Sequence, residues 1–212
     1  MTNTHVLIVG VGGLGTAMLH EALERGCLVS VQVRDRSKLE SRVAGDVLDR
    51  LEAVHVGDAS DATALDEAMA DADVVLAGIG AAHPLAASLA AAVGRNDAEK
   101  LCWPAGSTNV KADDGVTPNY QTLRDLGDWV EGAYRTHQAC IDAIRDAGIN
   151  HVIFCPGRMS FVGQRSSDVR STIRVDRDAG PFISYEDAAR VMLEGALTDT
   201  YDRQLVSAAT PR

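Results

Sequence analysis

The chain has 212 residues, of which 46% are hydrophobic and 24% charged, with a net charge of −10 and a pI near 5.0. That length suits one domain whose core needs neither metal nor disulfide support. The acidic balance lacks the clustered Lys and Arg that sequence-independent binding to nucleic acid or an anionic membrane requires.

The first segment, His5 to Val9 (HVLIV), is continuously apolar and reads as a strand buried on both faces. Gly10-Val11-Gly12-Gly13-Leu14-Gly15 follows, and Leu14, Met18 and Ala22 at spacing four predict a helix over 13–25, closed by Gly26. Further strands are expected at Leu28 to Val33, Ala53 to Val56, Val74 to Ala77, Lys100 to Trp103 and Asn150 to Cys155. Helices are expected over 37–50, 61–71, 82–95 and 128–147. The last of these carries Cys140, Ala143, Ile144 and Ala147 on one stripe and ends at Gly148. Ser184-x-x-Asp187 resembles a capping box before a final helix marked by Ala188, Val191, Met192 and Gly195. The alternation of strands and helices predicts an α/β fold, a doubly wound parallel sheet in a single domain over 1–212. Residues 104–120 and 156–180 are irregular and follow strands at their carboxyl ends, where open α/β sheets bind ligands, so they are the expected substrate side.

Gly10, Gly12, Gly13, Leu14 and Gly15 carry the first chemical signal. A GxGxxG turn between a strand and a helix is the Rossmann fingerprint for a dinucleotide. The first glycine permits the turn, the second lets backbone approach a pyrophosphate, and the third lets helix and sheet pack closely. The N–H groups at the helix start favour the anion. At the end of the second strand, where an NAD site usually places Asp or Glu, the sequence has Val33-Arg34-Asp35-Arg36. A guanidinium pairs a 2′-phosphate that a carboxylate would repel, so Arg34 and Arg36 point to NADP, with NAD as the other option. The alternative is that both arginines are solvated loop charges.

HVLIVGVGGLGTAMLHEALERG, VQVRDRSKL, VHVGDASDATALDEAMADADVVLAGIG, INHVIFCPGRM and GPFISYEDAARVMLEGAL, in that order, resemble the atypical short-chain dehydrogenase/reductases. The similarity is to their NAD(P)H-binding group, near the NmrA-like and flavin/biliverdin-reductase-like proteins. The resemblance implies that Asp58 and Ala59 lie beside the adenine and that Gly78 and Gly80 line the ribose and nicotinamide path. It also implies that Pro156, with Gly157, borders the nicotinamide. Asp58 is alternatively a cap for the helix starting near Asp61, and the glycines alternatively only end strands. Where family members often carry glycine at residue 16, this chain has threonine.

The Tyr-x-x-x-Lys pair of the better-known short-chain dehydrogenases is absent: Tyr134 is followed four residues on by Gln138. His137 falls near the position of the family's lysine and is the candidate proton donor, on one helix face with Tyr134. Ser107, or Thr108, is the candidate polar group near the nicotinamide. Both helix residues are alternatively structural. Trp103, Trp129, Tyr120 and Phe161 are candidates for an aromatic wall, with core packing an equal alternative for some of them. The histidines show neither HxH nor HExxH spacing, the four cysteines show no CxxC, and no GxSxG occurs. Neither a metal site, nor a disulfide framework, nor a hydrolase is expected. The chain start carries no basic segment with a cleavage site, and no apolar run reaches bilayer length, so a cytoplasmic protein is expected.

The resulting expectation is an NADP(H)-dependent oxidoreductase of a small carbonyl, quinone or flavin-like substrate. The second reading is a non-enzymatic NADP(H) sensor acting through a protein partner or homodimer. A nucleotide-sugar epimerase is the third, disfavoured by the short segment after Cys155.

Overall fold

The computed structural model describes residues 4–160 and 166–211. In chain order the elements are β1 (His5–Val9), α1 (Gly13–Glu24), β2 (Leu28–Val33), α2 (Arg36–Glu40), α3 (Gly45–Leu48), β3 (Ala53–Val56), α4 (Ala62–Met69), β4 (Val74–Ala77), α5 (His83–Arg95) and β5 (Lys100–Pro104). They continue with α6 (Asn119–Thr122), α7 (Trp129–Asp146), β6 (His151–Phe154), β7 (Arg158–Ser160), β8 (Arg174–Val175), β9 (Phe182–Ser184), α8 (Tyr185–Leu197) and β10 (Gln204–Ser207).

The main sheet runs β3-β2-β1-β4-β5-β6-β10-β8, parallel except for the β10–β8 pair. This is the doubly wound Rossmann order, reversing direction between β1 and β4. Alternate residues of β1 feed two cores. Val6 and Ile8 pack with Leu14, Met18 and the α8 residues Ala188 and Met192. Leu7 and Val9 pack on the other face with Leu65, Leu89, Trp103 and Ile141. Each large apolar side chain so buried contributes ~1.5–3 kcal/mol.

The expected helix over 37–50 is instead two short helices. Asp35 caps α2 by accepting from the Ser37 and Lys38 N–H groups. The chain then tightens as Arg42 N–H and Val43 N–H both donate to the Leu39 carbonyl, which brings Val43 to 3% exposure beside Leu39. Ala44 is extended before α3, so the demand to bury Val43 ends the first helix. The capping box before α8 is present, with the Ser184 side chain accepting from the Asp187 N–H at 3.1 Å.

The two irregular stretches hold more structure than expected. Ser107–Asn109 and Val169–Thr172 are 3-10 turns, and β7 pairs with β9 in a small parallel ribbon. The stretches are fastened to each other at Lys111. Its N–H donates to the Asp176 carbonyl at 3.2 Å, its carbonyl accepts from Asp178 N–H at 2.7 Å, and its ammonium meets the Asp176 carboxylate at 2.9 Å. The four cysteines are free thiols. Among the described residues, no helix is long and apolar enough to cross a membrane, and no three His, Cys, Asp or Glu side chains converge as a metal site.

Candidate functional site

A cavity of about 730 Å³ opens at the carboxyl ends of β1 to β4, at the point where the strand order reverses. Its floor is backbone. Gly10 has φ +88°, a left-handed conformation that suits glycine. A Cβ on Gly15 would stand 2.0 Å from the Gly10 carbonyl oxygen, and one on Gly78 would stand 1.9 Å from the same atom. Three backbone segments therefore meet at one carbonyl, and only glycine fits at either contact. Gly12 is the N-terminal residue before α1 and caps it with no side chain. The first N–H groups of α1 thus stay available beside the cavity.

The opposite rim is cationic. Arg34, Lys38 and Arg42 line it, and the nearest atom to a Cβ on Gly12 would be an Arg42 Nη at 4.0 Å. Asp35 also lines it but is engaged in capping α2, with Lys38 Nζ 3.9 Å from its other oxygen. Asp58, Ala59 and Ser60 close the side beyond β3. The Asp58 carboxylate accepts from the Ser60 N–H at 2.9 Å and from the Ser60 hydroxyl at 2.8 Å. Those bonds, with Arg34 nearby, hold its pKa below the usual carboxylate range. The cap of α4 is Asp61, which accepts from Thr63 and Ala64 N–H groups, so Asp58 is not needed there.

Of the residues singled out from sequence, Gly10, Gly12, Arg34, Asp58, Ala59 and Gly78 line this cavity together. Gly15 lies behind them at the turn contact, and Leu14 is buried in the core. Gly13 borders a neighbouring cavity of about 670 Å³ that shares Gly12 and Arg42 with the first. Arg36 turns to Glu40, Nε to Oε1 2.9 Å, and is not part of the cavity wall. Gly80 lies against β5, where a Cβ would meet the Pro104 carbonyl oxygen at 2.5 Å. Lys38, Arg42 and Gln32 line the cavity without having been anticipated. Lys38 lies on α2 itself, and Arg42 reaches the cavity from the turn that follows Glu40.

The candidate acceptor side lies at the ends of β5 and β6. Ser107 N–H donates to the Pro156 carbonyl at 2.8 Å, and the Ser107 carbonyl accepts from Asn119 Nδ2 at 2.9 Å. The His137 ring packs on Gly106, with Cδ2 2.9 Å from where a Cβ would stand. Its Nδ1 is buried with no hydrogen-bond partner among the described residues, and burial lowers its pKa below the ordinary imidazole value. Thr108 is buried, with its hydroxyl bonded to Asn109. Tyr134 stacks on Tyr120, centroids 4.3 Å apart, with Arg124 5.5 Å from the Tyr120 centroid.

Trp103 departs from the expected aromatic wall: at 0% exposure it belongs to the core. Trp129 is 60% exposed on the surface, and Phe161 lies outside the described residues. Asp178 is a further titratable group here. Burial pushes its carboxyl up despite the Gly180 and Ala179 N–H groups, and its Oδ1 has no partner among the described residues. It stands two residues before Gly180, whose carbonyl packs against Gly157 next to Pro156.

Residues 10–199 match the NAD(P)H-binding family. The chain belongs to that family. The NAD(P)H-binding character that the resemblance implied is thereby met, and the solved structures below share the fold. No curated protein matches the sequence. Among solved structures, a short-chain dehydrogenase/reductase from Veillonella parvula in complex with NADP is similar, with TM-score 0.76 and 15% identity over 98% of this chain and 95% of that one. ChuY, an anaerobillin reductase from Escherichia coli O157:H7, has TM-score 0.73 and 17% identity over 98% of each chain. An exported-protein candidate from Burkholderia pseudomallei has TM-score 0.79 and 18% identity over 98% of this chain and all of the other.

Proposed function

We propose that the protein is an NADP(H)-dependent oxidoreductase that reduces a small carbonyl, quinone or flavin-like acceptor. The observation that carries this reading is one cavity with a glycine floor at the start of α1 and three cations, Arg34, Lys38 and Arg42, on its facing rim. The residues fit a 2′-phosphorylated dinucleotide. The glycine turn and the first N–H groups of α1 receive the pyrophosphate, and the arginine forks receive the 2′-phosphate. Asp58 and Ala59 flank the base, and Gly78 leaves room for the chain of the cofactor to pass toward β5.

Hydride chemistry belongs to the nicotinamide, and the protein supplies orientation. Residues 104–120 and 156–180, fastened at Lys111, form the acceptor side in this reading. Ser107 offers a hydroxyl to the acceptor oxygen, Tyr134 and Tyr120 a stacked aromatic face, and Pro156 a border to the nicotinamide. Burial keeps His137 neutral at pH 7, so it donates a proton from an imidazole N–H only weakly. Donation by His137 would therefore strengthen on the acid side.

The sensor reading is favoured by a specific feature, the Tyr134/Gln138 spacing that replaces Tyr-x-x-x-Lys. Steady-state oxidation of NADPH with flavin, quinone and carbonyl acceptors separates the two. Turnover that falls in Ser107→Ala and Tyr134→Phe supports the oxidoreductase. Tight NADPH binding with no turnover on any acceptor class would sink it in favour of a sensor.

A further inference from the structure

Along β2, Val29, Val31 and Val33 enter the core beneath α1, while Ser30 and Gln32 face the opposite side of the sheet. The Ser30 hydroxyl is paired with His5 Nε2 at 2.8 Å. Gln32 has no such relief. It is 2% exposed, yet neither its Oε1 nor its Nε2 has a hydrogen-bond partner among the described residues. Leaving both ends of a buried amide unpaired is costly, and an apolar residue would fill the same place in a strand without that cost.

The orphaned amide lies at the wall of the dinucleotide cavity. Gln32 lines it together with Gly57, Asp58, Ala59 and Ser60, and its Nε2 is 4.0 Å from where a Cβ on Gly57 would stand. Gln32 is opposite His55 in the β2–β3 pairing, and Gly57 is two residues further along the same face. The amide therefore sits beside the loop that flanks the base in the reading above. A carboxamide presents one donor and one acceptor side by side. A phosphate, with acceptors only, satisfies half of it. The N7 edge of a 6-aminopurine, its 6-amino donor beside the N7 acceptor, satisfies both, whereas a 6-oxopurine offers two acceptors on that edge.

We infer that Gln32 reads the adenine edge of the dinucleotide and selects a 6-amino over a 6-oxo purine. This inference rests on the dinucleotide reading of the cavity. It concerns a residue beyond the glycine turn and the cationic rim, and it supplies the partners the amide lacks.

The test is equilibrium fluorescence titration of wild type, Gln32→Leu and Gln32→Met with NADPH and with its hypoxanthine counterpart, alongside thermal melts of each protein. Wild type should bind the adenine form at least about fivefold more tightly, the discrimination one bidentate base contact provides. Both variants should lose most of that preference while melting no lower than wild type, since the orphaned amide is gone. Equal affinity of wild type for the two bases, or a preference that survives both substitutions, overturns the inference and leaves the dinucleotide reading standing. Failure of wild type to bind either nucleotide overturns both.

Discussion

Replacing Gly15 with alanine would set a methyl carbon 2.0 Å from the Gly10 carbonyl oxygen and 3.0 Å from its carbon. Both obstacles are backbone, and Gly78 already closes on the same oxygen from the other side, so no flexible side chain gives way. Either α1 slides along the sheet or the turn opens. Overpacking of this kind costs ~1–3 kcal/mol or more, and in a chain of this size each kcal/mol lowers Tm by about 2–4 °C. The expected loss is about 2–12 °C, with NADPH binding impaired as well because the turn is displaced. Gly12→Ala is the companion. Gly12 has φ −90° and ψ −153°, extended backbone that alanine adopts, and nothing nearer than an Arg42 Nη at 4.0 Å. That variant should melt within about 2 °C of wild type yet bind NADPH at least about tenfold more weakly, because its methyl intrudes where backbone must approach the pyrophosphate. Thermal melts and fluorescence titrations of both proteins decide the matter. A Gly15→Ala protein that melts and binds like wild type would refute the three-segment contact, and a Gly12→Ala protein with normal affinity would refute the placement of the pyrophosphate.

Asp187 is fully buried and accepts from Ser166 N–H at 2.9 Å and from the Thr210 hydroxyl at 2.8 Å. Asp187→Ala strands both donors at ~1–3 kcal/mol each, so a melt should drop by several degrees; an unchanged Tm would show that the tie is dispensable. Burial lowers the pKa of His137 and His151 below the ordinary value of 6.5. Between that value and the lower folded values the unfolded chain binds more protons, so stability falls as pH drops below about 6.5. His137→Gln and His151→Gln should each lose less stability than wild type on acidification, and urea melts at several pH values that run parallel to wild type would contradict this.

Regular patterns were readable from the chain alone. HVLIV and VVLA, continuously apolar, declare strands buried on both faces because helices cover both, and the glycine turn between β1 and α1 declares its own geometry. What depended on distant pairing was not legible. β10 is four residues, QLVS, whose strand character comes from its place beside β6, and β8 and β9 are shorter still. The helix expected over 37–50 contains Gly45, a poor helix former, and the chain breaks just before it, with Val43 buried beside Leu39. The turn at that break carries Arg42 to the cavity, whereas Arg36, adjacent in sequence to the α2 cap Asp35, is held by Glu40. Trp103 was open to either an aromatic wall or core packing, and its place on β5 puts it in the core. Gln32 looked like an ordinary strand residue; only burial and the absence of a partner mark it.

The central claim is that the cationic rim makes the cavity an NADP(H) site. Its most direct test is the equilibrium affinity of wild type, Arg34→Ala, Arg42→Ala and Arg36→Ala for NADPH and NADH. The account predicts tighter NADPH binding by wild type and loss of that preference in Arg34→Ala and Arg42→Ala, by about tenfold for each charge-assisted phosphate contact removed. Arg36→Ala should behave as wild type, because that side chain pairs with Glu40. Equal affinity of wild type for the two nucleotides, or a preference that persists without Arg34 and Arg42, would contradict it.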